Sequence, residues 1–132
     1  MQVFLVDLKN QPGELARAAE AIAAKGINIE AFSGTTCSDS GRVAIMTNDE
    51  ASTRTVLKDA GFTYTELEAT DAAFRHEPGT LAKAARRLAD AGINIEAAMP
   101  VGMEGNEVHV AFVTSDAAKA REVLAAAGIA SR

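Results

Sequence analysis

Asn28 and Asn94 stand 66 residues apart, each inside the same four residues, Gly-Ile-Asn-Ile. Asparagine is a poor strand former, so a pair of them in runs that alternate like strands points to polar work. An amide offers both a donor and an acceptor. Two helix starts, Pro12-Gly13-Glu14-Leu15 and Pro78-Gly79-Thr80-Leu81, recur at the same spacing. The free N–H groups that follow Pro12 and Pro78 lie at the positive end of a helix dipole, where an anion is favoured. Gly13 and Gly79 carry no side chain to block that approach. The chemistry within reach is noncovalent recognition of a small charged group, although Pro, Gly and Leu at a helix entrance are equally what folding alone demands.

Other reactive side chains are sparse. Cys37 is the only cysteine and reads as a small strand or hairpin residue, which excludes an internal disulfide and fits a reducing compartment. His76 stands where Asn10 does in the first copy and sits beside Glu77. It is either a pH-dependent partner for a carboxylate or a solvated loop histidine. His109 falls within a strand, packed or edge-exposed. With these residues scattered over different elements, no metal site can be drawn with ligand spacing. No Gly-rich phosphate loop, nucleophile elbow or Cys-His pair is present, so no catalytic residue and no cofactor is assigned. Arg42 and Arg75 are the arginines an acyl-phosphate enzyme might use, but neither lies in a glycine-lined cradle.

The elements that must position these residues are themselves repeated. Pro12 through Ala31 returns as Pro78 through Ala97 with 13 of 20 positions identical, and Arg42–Asp49 matches His109–Asp116 at a spacing of 67. The extra residue lies between Ala97 and His109, facing a hairpin turn. One folding unit of about 66 residues is thus written twice, over 1–66 and 67–132. In the first copy Val3–Leu8 reads as a central strand. A helix follows with an apolar stripe of Leu15, Ala18, Ala19, Ile22 and Ala23, stopped at Gly26. Ile27–Thr35 alternates as a second strand, Arg42–Thr47 is a third, and Asn48 or Asp49 can cap a second helix through Val56, Leu57 and Ala60. Phe62–Leu67 supplies a fourth strand.

The order βαββαβ, with right-handed crossovers, predicts an α+β fold: two ferredoxin-like units in tandem, each an antiparallel four-stranded sheet with both helices on one face. No Gly or Pro separates Phe62 from Phe74, so the last strand of the first copy should run into the first strand of the second and couple the two rigidly. After Gly128 only four residues remain, so the final strand should be short. Val3–Val6 and Val110–Val113 are apolar at consecutive positions, which predicts burial on both faces, the helix-free one against a second sheet or subunit.

With 132 residues, 48% of them hydrophobic, and a formal net charge of −5, the chain has the composition of a soluble globular protein. It lacks the clustered Lys and Arg that a nucleic acid needs, and Val43 and Ile45 stand where RNA-binding sheets expose aromatics. Nothing resembles a membrane span or a secretory leader, so a cytoplasmic location is expected. A unit of about 66 residues buries only about 60% of its unfolded surface, so each copy is expected to need the other or a second chain.

Asn-x-Pro-Gly-x-Leu opening a helix, then Gly-Ile-Asn-Ile, then a βαβ remainder, closely resembles the ACT domain, a small regulatory module that binds amino acids. The first copy carries it as Asn10-Gln11-Pro12-Gly13-Glu14-Leu15 with Gly26-Ile27-Asn28-Ile29. The second carries His76-Glu77-Pro78-Gly79-Thr80-Leu81 with Gly92-Ile93-Asn94-Ile95, departing at His76. The resemblance implies a ligand at an interface between two ACT units. By position, it implies Asn10, Gly13, Glu14, Leu15, Asn28 and Ile29 in the first copy, and His76, Gly79, Thr80, Leu81, Asn94 and Ile95 in the second. Two or three charge-assisted hydrogen bonds and a small apolar contact make about 5 to 8 kcal/mol plausible, a micromolar to high-micromolar site. A non-catalytic amino-acid sensor, working as a homodimer or higher homo-oligomer, is the first expectation. The alternative is a regulatory subunit docking on a separate biosynthetic enzyme, similar to the small subunit of acetolactate synthase.

Overall fold

The computed structural model describes residues 1–129. Its elements are β1 (Gln2–Lys9), α1 (Glu14–Ala23), β2 (Ile29–Cys37), β3 (Ser40–Thr47), α2 (Glu50–Asp59), β4 (Tyr64–Arg75), α3 (Thr80–Asp90), β5 (Ile95–Glu104), β6 (Glu107–Thr114) and α4 (Ala117–Ala126). The chain divides into two compact units, Gln2–Leu67 and Glu68 onward, the second also taking Met1. The architecture is α+β with antiparallel strands. The sequence predicts a short final strand over the four residues after Gly128; Ile129 lies in no strand, and 130–132 lie outside the described residues.

In the first unit β3 pairs with β1 on one side and β2 on the other, Phe4 opposite Ile45 and Phe32 opposite Ile45 across the two ladders. The Asp7 N–H donates to the Thr63 carbonyl at 2.9 Å, tying β1 to the approach of β4. The period-2 alternation of the strands sends Phe4, Val6, Val43 and Ile45 to one face, where they meet Ala18 and Ile22 of α1 and Val56 and Leu57 of α2. Phe62 and Ile27 close that core. Ile22 and Leu57 are fully buried, each stabilising the unit by about 1.5 to 3 kcal/mol relative to exposure. The spacing of α1 explains why it is a helix that packs: Ala18 and Ile22 are one turn apart and share the inner face.

The second unit repeats the arrangement in smaller side chains. β6 pairs with β4, Ala72 opposite Val110, and with β5, Met99 opposite Ala111. Ala72, Phe74, Val110 and Phe112 meet Ala84 and Leu88 of α3 and Ala120 and Leu124 of α4. The helix-free faces are buried as well: Val3, Ala44 and Met46 in the first unit, and Ala69, Asp71, Ala73, His109, Ala111 and Val113 in the second. β4 is one uninterrupted strand, because Tyr64–Arg75 contains neither Gly nor Pro to break it.

α2 and α4 begin alike. Asp49 accepts the Ser52 N–H at 3.0 Å and Asp116 accepts the Lys119 N–H at 3.0 Å, each carboxylate satisfying one orphan donor of the first turn. α1 and α3 begin differently. Gly13 and Gly79 precede them with φ of 89° and 91°, and no side chain caps either helix. In that left-handed region a Cβ is strained, which is why glycine stands there. A Cβ on either would meet no other protein atom within 4 Å, so the strain there comes from the backbone angle and not from a clash.

Candidate functional site

Each uncapped helix entrance opens onto a groove. In the first unit it has a volume of about 380 Å³ and runs from Leu8, Asn10 and Gln11 past Glu14 and Leu15 to Phe32, Gly34, Gly41 and Val43, with Lys9, Thr35, Thr36 and Arg42 along its polar side. A smaller apolar recess beside it joins Leu15 to Ile29, Phe32 and Ile45. In the second unit a groove of about 370 Å³ is lined by Phe74, His76, Glu77, Thr80, Leu81, Ala98, Met99, Pro100, Val108 and Val110. Both volumes lie within the roughly 300 to 1000 Å³ of small-molecule pockets. The two linings are the same positions of the repeat: Leu8 and Phe74, Asn10 and His76, Gln11 and Glu77, Glu14 and Thr80, Leu15 and Leu81, Phe32 and Ala98, Gly34 and Pro100. A larger hollow of about 640 Å³, involving α1 and α2, contains none of the residues singled out from the sequence.

Of those twelve residues, the grooves gather Asn10, Glu14 and Leu15, with Ile29 in the adjoining recess, and then His76, Thr80 and Leu81. Gly13 and Gly79 set the turn that brings each helix in, but line neither groove. Asn28, Asn94 and Ile95 are likewise absent from the linings. Asn28 and Asn94 lie one residue before β2 and β5, not inside them, so poor strand propensity is no argument for a ligand there. Their backbones do definite work. The Asn28 N–H donates to Asn48 Oδ1 at 3.0 Å while Asn48 N–H returns a bond to the Asn28 carbonyl at 3.2 Å. Asn94 and Ser115 exchange the equivalent pair, both at 3.0 Å. Each pair holds the start of a strand beside the start of the second helix.

Asn10 is also committed. Its Nδ2 donates to the Ser38 carbonyl at 2.8 Å and its N–H to the Asp39 carbonyl at 3.1 Å, latching the loop to the β2–β3 hairpin. In the second unit the His76 N–H donates to the Asn106 carbonyl at 2.8 Å, and the exposed imidazole replaces the amide.

The charges at the two entrances differ. Glu14 accepts the Lys9 N–H and the Gln11 Nε2, each at 3.4 Å, and lies 3.5 Å from Arg17. Its partial desolvation pushes the carboxyl up, but the Lys9 N–H, Arg17 and Gln11 together outweigh it and hold the group below its ordinary range. Arg17 in turn stacks over the Phe62 ring at 4.0 Å. At the second entrance Thr80 turns its hydroxyl back to donate to the Glu77 carbonyl at 2.9 Å. No carboxylate occupies the Glu14 position there.

Among the described residues no three His, Cys, Asp or Glu converge to hold a metal, and no helix is long and apolar enough to cross a membrane. Cys37 is exposed at the end of β2. Sequence reasoning missed one polar feature. His109, expected to be packed or edge-exposed, is buried and its Nδ1 lies 3.2 Å from Asp71 Oδ2, while Asp71 Oδ1 has no hydrogen-bond partner among the described residues. The only signal was an Asp inside the small apolar run Ala69–Phe74.

By sequence the chain matches no protein-family model and no curated protein. By fold it is similar to a protein from Bacteroides thetaiotaomicron that is 24% identical, with a TM-score of 0.88 over 99% of this chain and 90% of that one. It is also similar to the ligand-free regulatory subunit of aspartate kinase from Thermus thermophilus, 18% identical with a TM-score of 0.69, covering 95% and 89% of the two chains. The corresponding subunit from Thermus flavus is 19% identical with a TM-score of 0.64, covering 96% and 91%. The chain therefore shares its fold with those regulatory subunits.

Proposed function

We propose that the chain is a tandem of two ACT units that binds a free amino acid without transforming it, and that binding regulates an oligomer of the chain. The observation that carries this reading is the groove at each entrance of α1 and α3. There, apolar residues adjoin a helix start that no side chain caps. A zwitterion has a carboxylate for the orphan N–H groups, an ammonium for a carboxylate such as Glu77, and a side chain for the apolar wall. The contrast with α2 and α4, both capped by Asp, supports a vacancy kept for a ligand.

A second copy of the chain closing the open side of the groove would make a homodimer or higher oligomer the active form, with sites at ACT–ACT interfaces. The aspartate kinase regulatory subunits to which the fold is similar support a regulatory role. A second reading, a regulatory subunit docking on a separate biosynthetic enzyme, is favoured by the exposure of Leu15, Phe32, Leu81 and Met103, which are apolar residues a partner could bury.

Thermal-shift screening against the twenty amino acids tests the sensor reading. A ligand at one hundred times its dissociation constant stabilises the folded chain by about 2.7 kcal/mol. If none raises the melting temperature at millimolar concentration, the sensor reading fails and the docking subunit takes its place.

A further inference from the structure

We infer that the groove of the second unit is a selective site for an amino acid with an apolar side chain, aliphatic or aromatic, and that the first groove does not bind it. The inference rests on the amino-acid reading above and adds to it the class of ligand and the number of sites.

It follows from comparing equivalent positions. Where the first groove has Gly34 and Gly41, the second has Pro100 and Val108, and where the first has Leu8, the second has Phe74. Each change adds apolar surface. Phe32, 64% exposed in the first unit, is replaced by Ala98, which removes an aromatic ring from the second groove and leaves its space open. Leu81 remains 54% exposed beside that space, an apolar side chain with surface still to bury. An apolar ligand covering it gains about 25 cal/mol for each Å² removed from water.

The polar ends differ in the same direction. In the first unit the Glu14 carboxylate, paired with Arg17, already accepts the Lys9 N–H on the first turn of α1, so a ligand carboxylate meets a like charge there, with the cations Lys9 and Arg42 farther along the lining. In the second unit Thr80 is neutral and its hydroxyl is spent on the Glu77 carbonyl, so the carboxylate of this groove is Glu77 at the mouth, in the place of Gln11, and none stands on the first turn of α3. His76 and Glu77 stand at the mouth with opposite polar character, one for the ligand carboxylate and one for its ammonium. An acidic or basic ligand side chain would be buried against Phe74, Met99 and Val110 without a partner, which is costly.

Calorimetric titration of the full chain with L-leucine, L-phenylalanine, L-aspartate and L-lysine tests this. The expected result is one site per chain, leucine or phenylalanine bound at least about tenfold more tightly than aspartate or lysine, and a negative heat-capacity change for the apolar ligands. Ala98→Phe installs the residue that the first unit already carries in the equivalent strand position and should weaken leucine binding by more than about thirtyfold. Thr80→Glu, which copies Glu14, should weaken it by about tenfold. Melting temperatures near that of the unmodified chain would show that both variants fold. Tighter binding of aspartate or lysine, two equal sites per chain, or undiminished leucine binding in both folded variants overturns the inference while leaving an amino-acid sensor standing. No heat with any of the four, together with a flat thermal-shift screen, overturns the sensor reading itself.

Discussion

At the first helix entrance Glu14 lays its carboxylate against the Lys9 N–H, whereas at the second Thr80 turns its hydroxyl away to the Glu77 carbonyl. The backbones beneath are the same: a left-handed glycine, an uncapped helix, a latch from the loop to a hairpin. Duplication preserved what folding needs and let the side chains lining the grooves diverge. The copies therefore teach which residues of the shared motif are framework, since those keep both identity and geometry, and which are free to specialise. Pro, Gly and the Ile-Asn-Ile run belong to the first kind; Asn10 against His76, Glu14 against Thr80 and Phe32 against Ala98 belong to the second.

Framework substitutions should therefore act equally in the two units, and the largest effects test that. Ile22→Ala and Leu88→Ala each empty a fully buried position at the same place in the repeat and should each cost about 2 to 5 kcal/mol in urea unfolding. A difference of more than about 3 kcal/mol between them would show that the units do not share one packing plan. Next, His109→Ala takes the imidazole away from the buried Asp71 carboxylate, at a cost of about 1 to 3 kcal/mol. Arg42→Ala, its positional counterpart, alters an exposed ion pair with Asp7 and should cost under about 1 kcal/mol.

Gly13→Ala and Gly79→Ala force a side chain into the left-handed region and should each cost about 1 to 2 kcal/mol with no clash, read as matched drops in melting temperature. Much the same loss, about 1 kcal/mol, is expected from Asp49→Ala and from Asp116→Ala, each removing a helix cap.

The smallest effect separates the units by pH. Side-chain and backbone bonds from Ser52 hold Asp49 below its ordinary range. The hydrogen bonds from Arg54, one of them 2.7 Å from its Nε, hold Glu66 below its range against a desolvation that raises it. Glu14 is lowered too, and all three belong to the first unit. Their folded values lie below the unfolded ones, so the stability they contribute is complete above the unfolded carboxylate range of about pH 4 to 4.5 and is lost as pH falls through the lower folded values. Replacing Glu14 with Gln should flatten part of that acid decline, seen as a smaller shift of the urea midpoint between pH 7 and pH 3. An unchanged decline would remove Glu14 from the list of groups that distinguish the first entrance.

Much of the fold was legible because the relevant signals are local. The Ala18–Ile22 spacing, the Gly stops and the Asp49 cap each act within one turn or one hairpin, and the internal repeat doubled every signal. What escaped depends on contacts distant in sequence. Asn28 reads as a strand residue by alternation, yet its bond with Asn48 holds it just outside β2. Asn10 reads as a free loop amide, yet the hairpin tip at Ser38 claims it. Gly13 reads as clearance, and the left-handed φ it also supplies is set by the turn as a whole. The grooves were only half legible, because their far walls come from β2, β3, β5 and β6, where Phe32, Pro100 and Val108 carry no motif.

The buried contact between Asp71 and His109 has a bearing on the hazard of writing one unit twice. Strands of one pattern repeated in one chain can be confused during folding, β3 taking the place of β6 beside β4. The correct ladder sets Ala73 opposite His109 and Asp71 opposite Ala111, which brings the two polar side chains together on one face. Slippage by a single residue would send one of them to the helix side and strand the other. The counterparts in the first unit are Leu5 and Arg42, so a β3 strand docked in error would force the longer, permanently charged side chain of an exposed arginine into the buried space of an imidazole. A pair that adds little to net stability can act in this way as a proofreading mark, telling the second sheet which strand is its own.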